Sequence, residues 1–313
     1  MKQTLVSVII TCYNYEDYIK EAIESVLNQT HNNIEFIIID DGSTDDSLKI
    51  IKKYADKAKI VSRKNKGIVY TRNEALELAQ GDYICFLDAD DYFNKDYIEK
   101  SVELAEKYNS DVVYPNWRIF GDDNYTMTFP EFDIQKLIRQ EIHCTSESLI
   151  RRSAVGNHRF ESEEVAEDWD FFLGLALDGR IFKLAKDCYI NYRVRRGTRG
   201  AKRSYWDDMY YFCDILSKWS KIYPEQVNPF DLPITAGKNK DHHIDILTNS
   251  IKDKDNIIEN LTNIIQVKDN KITDLQYVVG KIRKSRSYRL GNVITLSIRK
   301  GKNLVKKILL LTK

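Results

Sequence analysis

The sequence predicts an α/β fold, a mostly parallel sheet with helices on both faces. Three observations carry this. Short runs of branched and aromatic residues alternate with stretches of helical period; the runs are apolar throughout instead of alternating with polar positions; and polar clusters follow their carboxyl ends.

Residues 6–10 form the first strand, and residues 17–29 a helix with Ile19, Ala22, Ile23, Val26 and Leu27 on one face. Residues 34–39 form the second strand, after which Ser43 or Thr44 is placed to cap a helix carrying Leu48, Ile50, Ile51 and Tyr54. A short third strand near Ile60 precedes a helix over residues 69–79. Residues 83–87 then read as a strand buried on both faces, followed by a helix over 96–108 and a strand over 112–114.

At 313 residues the chain suggests about two domains, and a 42% hydrophobic, 11% aromatic composition supplies a sizeable core. The net charge of +1 hides a polarity. From Lys238 onward there are 17 basic and 7 acidic residues, so the tail is +10 and the remainder −9. Cys12, Cys85, Cys144, Cys188 and Cys213 show no CxxC spacing and read as reduced thiols of a cytoplasmic protein. No run approaches the ~18 apolar residues of a spanning helix, and the amino terminus enters a strand without a cleavage signal.

In open parallel sheets ligands bind beyond the strand carboxyl ends, where Thr11 to Asn14, Asp40 to Asp45 and Asp88 to Asp91 fall. Asp88, Asp90 and Asp91 crowd one turn and call for a divalent cation with oxygen ligands; taken alone, a solvated acidic turn is the alternative. No G-x-G-x-x-G follows the first strand, so the pyrophosphate grip of dinucleotide dehydrogenases is absent. Tyr13 offers a face for a base, and Asp40 and Asp41 offer acceptors for a ring N–H or ribose hydroxyls.

Ser7 to Asn14, Ile39 to Asp45, Asn65-Lys66-Gly67 with Thr71-Arg72-Asn73, and Leu87-Asp88-Ala89-Asp90-Asp91 resemble, in order and spacing over roughly the first 180 residues, the successive motifs of the family 2 glycosyltransferases. The resemblance implies a GT-A fold and a nucleotide-sugar donor, most often UDP-linked. It implies that Tyr13 stacks on the base beside Thr11, that Asp41 bonds its ring nitrogen, and that Arg72 reaches the base or the diphosphate. It further implies that Asp88 touches the ribose or donor sugar, and that Asp90, supported by Asp91, binds Mn2+ or Mg2+.

An inverting transfer also needs a general base for the acceptor hydroxyl. The stretch Glu167-Asp168-Trp169-Asp170 opens an amphipathic helix, where a carboxylate in the first turn is favoured by the helix dipole. The family's Glu-Asp pair puts the base at Asp168, with Asp170 as its rival. Residues 116–153 are left for an acceptor glycan or lipid-linked acceptor, with Trp117, His143 and Thr145 as a sugar platform or, for Trp117, a core position. The basic run from Arg193 to Arg203 either closes over the diphosphate or is solvated.

The expected organisation is a GT-A catalytic domain over residues 1–235, split into a nucleotide-binding half (1–115) and an acceptor half (116–235), then a coiled coil and a tail. Ile244, Ile251, Ile258, Ile265, Ile272 and Val279 recur every seven residues, with Leu247, Leu261, Leu275 and Ile282 between them. This pattern predicts a parallel coiled coil over 238–283 and a homo-oligomer, with a helix folded back on the catalytic domain as the alternative. Residues 284–313 form a basic amphipathic tail; from Lys281 there are 11 basic and no acidic residues. It suits an anionic membrane surface better than nucleic acid and places the chain on the inner face of the cell membrane. Ser285-Arg286-Ser287-Tyr288-Arg289-Leu290 resembles a tail motif of bacterial polysaccharide glycosyltransferases. An inactive sugar-nucleotide-binding scaffold is the rival from another class. A nucleotidyltransferase is the rival enzyme.

Overall fold

The computed structural model describes residues 4–161, 166–195 and 205–228, with isolated helical positions between 266 and 284. The chain divides into two compact units, Met1–Ala236 and Gly237–Lys313. The heptad residues and the basic tail lie outside the described residues.

The first unit is built on one nine-stranded sheet. β1 (Val6–Cys12), β2 (Ile34–Asp40), β3 (Lys59–Ser62) and β4 (Tyr83–Asp88) run parallel in the order β3-β2-β1-β4. Beyond β4 come β5 (Tyr92–Phe93), β6 (Val112–Gly121), β7 (Tyr125–Met127), β8 (Leu149–Arg151) and β9 (Phe182–Val194). There the order continues β8-β6-β9-β5, with β7 on β6; β8 is antiparallel to β4 and to β6, while β9 is parallel to β6. The first half is therefore parallel throughout, as the sequence predicts, while the second half joins the parallel β6-β9 pair to antiparallel neighbours, so the sheet as a whole is mixed. β6 also runs well past Tyr114: its pairing register shifts between Pro115 and Asn116, so the proline sits at the edge of an irregularity.

The helices are α1 (Ile19–Leu27), α2 (Ser47–Ile51), α3 (Ile68–Leu78), α4 (Tyr97–Lys107), α5 (Ile134–Ile138), α6 (Arg152–Val155), α7 (Glu167–Leu177) and α8 (Tyr205–Ile222). Successive strand residues alternate between two cores. Ile9, Ile37, Ile39, Ile84 and Phe86 pack in one with α3 and α7 residues such as Ala75, Phe171 and Phe172. Val8, Ile10, Ile38, Cys85 and Leu87 pack in the other with Ile19 and Ile23 of α1 and Ile98 and Val102 of α4. This two-sided burial explains the unbroken apolar runs. Leu27 is the exception on its predicted face, being exposed. α2 begins later than Ser43 or Thr44 would place it: Asp45 Oδ1 accepts from Ser47 N at 3.0 Å, and Ser43 instead accepts from Asn14 N. All five cysteines are free thiols, and four are buried.

The order β3-β2-β1-β4 changes direction between β1 and β4, the position at which open α/β sheets form a ligand crevice. Thr11 pairs with Asp88 across that boundary, and Cys12 with Asp40 on the other side.

Candidate active site

A crevice of about 410 Å³ opens there, lined by Thr11 near the end of β1, Tyr13 and Tyr15 after it, Asp41 after β2, Asn65 and Gly67, Thr71 and Arg72 of α3, Asp88 at the end of β4, and Glu167 of α7. The loops after β1 and β2 are stitched together: Asn14 Oδ1 accepts from Thr44 N at 2.7 Å, and Asn14 N donates to Ser43 Oγ at 3.0 Å. Tyr13 stands at this rim with 44% of its surface exposed, an open aromatic face.

Asp40 and Asp41 part company. Asp40 is fully buried and accepts from Ser62 Oγ at 3.0 Å and Ser43 N at 3.3 Å, so it braces the loop and is not available to a ligand. Asp41 lines the crevice. It pairs with Arg63 and accepts from Lys66 N at 2.8 Å and Gly67 N at 2.9 Å. Its Oδ1 is thereby filled, while one lone pair of Oδ2 stays unused by those bonds.

Arg72 lines the crevice and is not a solvated surface charge. It is buried, with Nη2 on Asp88 at 3.1 Å and Ser146 at 3.0 Å, Nη1 on Glu167 at 2.8 Å, and its guanidinium 5.5 Å from the Phe160 ring centre. Burial alone would lower its pKa; Asp88 first, then Glu167, outweigh that and raise it.

Asp168, beside Glu167 in the first turn of α7, accepts from Trp169 N at 2.8 Å. Burial and then the Glu167 charge push its carboxyl up to about 7, against the opposing pull of Arg72. Asp170 points into another environment. It is buried and holds Lys218 Nζ at 2.8 Å and Trp219 Nε1 at 2.6 Å, so both of its oxygens are engaged in anchoring α8.

Residues 7–159 match the family model described as glycosyl transferase family 2. The UDP-Glc:alpha-D-GlcNAc-diphosphoundecaprenol beta-1,3-glucosyltransferase WfaP of Escherichia coli is 35% identical over 204 residues, covering 64% of this chain and 81% of that protein. The chain belongs to glycosyltransferase family 2. Among solved structures, Staphylococcus aureus TarS 1–349 in complex with UDP-GlcNAc superposes with a TM-score of 0.58 at 24% identity, covering 67% of this chain and 66% of that one. A mannosyltransferase of Pyrobaculum calidifontis, in complex with GDP-Man and Mn2+, superposes with a TM-score of 0.53 at 18% identity, covering 74% of this chain and 68% of that one. These likenesses establish the GT-A fold of the first unit.

In this glycosyltransferase the acidic turn is divided. Asp88 lines the crevice, whereas Asp90 and Asp91 are not among its lining residues. Asp91 is buried and its Oδ1 accepts from Arg193 N at 2.7 Å, so it braces β9 against the turn. Asp90 pairs with Arg195 at 2.7 Å; burial and then Asp88 raise its pKa. Among the described residues no group of three or more metal-ligating side chains is gathered. A hard divalent cation in a phosphate site nonetheless takes only one or two carboxylates, the remaining ligands being phosphate oxygens and water. The repulsion between Asp88 and Asp90 fits that donor set.

β6 and β9 contribute to an aromatic cluster. Trp117 stacks on Tyr192 with ring centres 5.1 Å apart and lies 5.4 Å from His143, which is 5.6 Å from Phe129. Thr145 is buried. The Tyr192 hydroxyl is held well above its usual range by burial and then by Asp91 and Asp88, so this cluster borders the acidic turn. Arg193 and Arg195 are not solvated: both are engaged at Asp90, and the rest of the basic run lies outside the described residues. Sequence reasoning missed Glu167, which joins Arg72 to α7, and Glu147, a buried carboxyl pushed up to about 8 by burial and then by Asp88. Glu167 was visible as half of the Glu-Asp pair; Glu147 sits in a polar run that reads as a loop.

Proposed function

We propose that this glycosyltransferase moves a sugar from a UDP-sugar to a glycan or lipid-linked acceptor of a bacterial surface polysaccharide, with inversion at the anomeric carbon. The observation that carries the reading is the convergence, around one crevice, of Asp88 from the end of β4 and the Glu167-Asp168 turn of α7, joined by Arg72. The acceptor named for the relative WfaP, a diphosphoundecaprenol-linked sugar, and the UDP-GlcNAc bound by TarS support the donor and acceptor classes.

In this reading Tyr13 stacks on the base, beside Thr11 at the end of β1, and the spare lone pair of Asp41 Oδ2 accepts from a ring N–H. Arg72 acts through the two carboxylates it ties together, not through direct contact with the base. Asp88 faces the ribose or sugar. Asp168 takes the proton of the acceptor hydroxyl as that oxygen forms its bond to the anomeric carbon; the bond to the diphosphate breaks, and its electron pair leaves on the nucleoside diphosphate. A carboxylate titrating near 7 is matched to that task, since it is ionised at neutral pH yet basic enough to hold a proton. Mn2+ or Mg2+, held by Asp90 with Asp88, would neutralise charge on the leaving diphosphate; the Mn2+ in the Pyrobaculum neighbour supports this assignment. The acceptor lies on the side of the Trp117, His143 and Tyr192 cluster.

The heptads of residues 238–283 and the basic tail of 284–313 support a homo-oligomer that works on an anionic membrane surface. No described helix is long and apolar enough to cross a membrane. A screen of UDP-, GDP- and dTDP-sugars, each with Mn2+ or Mg2+, tests the donor assignment by thermal stabilisation and by release of free nucleotide. Stabilisation by UDP-sugars alone is expected; a preference for GDP- or dTDP-sugars would overturn the base assignment.

A further inference from the structure

The carboxyl end of β9 is strapped to the acidic turn by three donors. Arg193 N donates to Asp91 Oδ1 at 2.7 Å, Arg193 Nε to the Asp90 carbonyl at 2.8 Å, and Arg195 Nη2 to Asp90 Oδ2 at 2.7 Å. The Arg195 guanidinium is also held over two aromatic rings, 5.1 Å from the Tyr15 ring centre and 4.7 Å from that of Tyr18. Tyr15 is a lining residue of the crevice, so Arg195 borders the space a donor would enter.

The Asp90 carboxylate thus already carries a cation. A divalent ion bound to it at about 2.1 Å would bring a total charge of +3 onto one carboxylate. Two outcomes are physically distinct. If both cations stay, Arg195 orients Asp90 for the metal, and losing it weakens metal binding. If they compete, losing Arg195 tightens it.

We infer that Arg195 is the resident counter-ion of Asp90 and that a divalent cation enters the turn by exchange with it, so that metal and donor diphosphate load together. The diphosphate supplies the negative charge that Arg195 gives up at Asp90, and it does so beside Tyr15, where Arg195 already lies. This rests on the reading of Asp90 as a metal ligand. It adds a cost of metal entry that the bare protein meets poorly and the donor complex meets well.

The experiment is a titration of the full chain with Mn2+, followed by the electron paramagnetic resonance signal of free Mn2+, with and without UDP. It compares the wild type with Arg195→Ala, Arg195→Gln, Arg193→Gln and Asp90→Asn; thermal melting identifies the folded variants, and the glutamine variant serves if the alanine one does not fold. Without UDP, removing Arg195 is expected to tighten Mn2+ binding about two- to fivefold, the scale of one partly exposed ion pair. With UDP the gap should narrow, and Arg193→Gln should change affinity far less. Unchanged or weaker binding on removing Arg195, with binding lost in Asp90→Asn, would overturn the exchange and leave the metal ligand standing. Equal tightening in Arg193→Gln would overturn it as a bulk charge effect. Failure of every form to bind Mn2+, even with UDP, would remove the metal reading and the exchange with it.

Discussion

Arg72 Nη1 meets Glu167 Oε1 at 2.8 Å, and through this contact α3 holds the first turn of α7. The same guanidinium reaches Asp88 at 3.1 Å, so the end of β4 and the turn carrying Asp168 are fixed by one buried cation. The proposed base, Asp168, is thereby positioned from the side of the crevice that carries Asp88.

Arg72→Met should therefore damage stability and chemistry together. It leaves Asp88 and Glu167 without their partner; both are partly exposed, so water screens them and the loss is about 1–3 kcal/mol. It also removes the group that opposes the rise in the Asp168 pKa, so any folded enzyme should show its acid limb moved to higher pH. Chemical denaturation and a pH profile check the two effects. A variant of wild-type stability would refute the structural role.

Asp168→Asn and Asp170→Asn, two residues apart, should fail in different ways. The first should lower kcat by about 10²–10⁴ while nucleotide-sugar affinity stays close to the wild type, because a general base acts in the chemical step. The second breaks the contacts to Lys218 and Trp219 and should lower the melting temperature with a smaller effect on kcat in the folded fraction. Reversal of this pattern would move the base to Asp170.

For the wild type, kcat/KM should rise with pH through about 7, because Asp168 works only when ionised. Below that point the rate should fall about tenfold per pH unit, as expected for one required ionisation. A flat profile from pH 5 to 8 would exclude Asp168 as a base with this pKa.

The parallel half of the fold is legible because two-sided burial writes strands as unbroken apolar runs, and the crevice is legible because polar clusters follow three of them. The mixed half is not. β8 is only three residues long, and β6 continues past Pro115, which local reading takes as an end. Arg72 exposes the same limit at the site: its partner Glu167 is 95 residues away, and no spacing rule pairs them. Asp40 and Asp41 are chemically identical in the sequence. Only packing assigns one to the loop and one to the crevice.

Gly42 tests the loop that Asp41 organises. Its φ is +79°, and a Cβ there would lie 2.6 Å from Asn65 N and 2.8 Å from Arg63 O. Both neighbours are backbone and cannot swing away. Gly42→Ala should cost about 1–3 kcal/mol and weaken nucleotide binding by displacing the loop that carries Lys66 N and Gly67 N away from Asp41. Isothermal titration with UDP, alongside melting, measures both; unaltered affinity would separate the loop from the nucleotide.

Glu147 sets a pH dependence of stability opposite in sign to that of activity. Its carboxyl titrates near 8 in the folded protein, raised by burial and then by Asp88, against an ordinary value of 4.5. Between those values the folded state keeps a proton that the unfolded state has released, so unfolding releases protons and stability falls as pH rises. The contribution is complete below about 4.5 and is lost as pH rises through about 8; Asp168, titrating near 7, acts in the same direction. Glu147→Gln keeps a neutral side chain of the same shape at every pH. It should match the wild type near pH 5 and melt higher at pH 9, by about 2–4 °C for each kcal/mol recovered. Melting curves across pH 5–9 decide the point: equal slopes for the two proteins would show that Glu147 is not the group that takes up the proton.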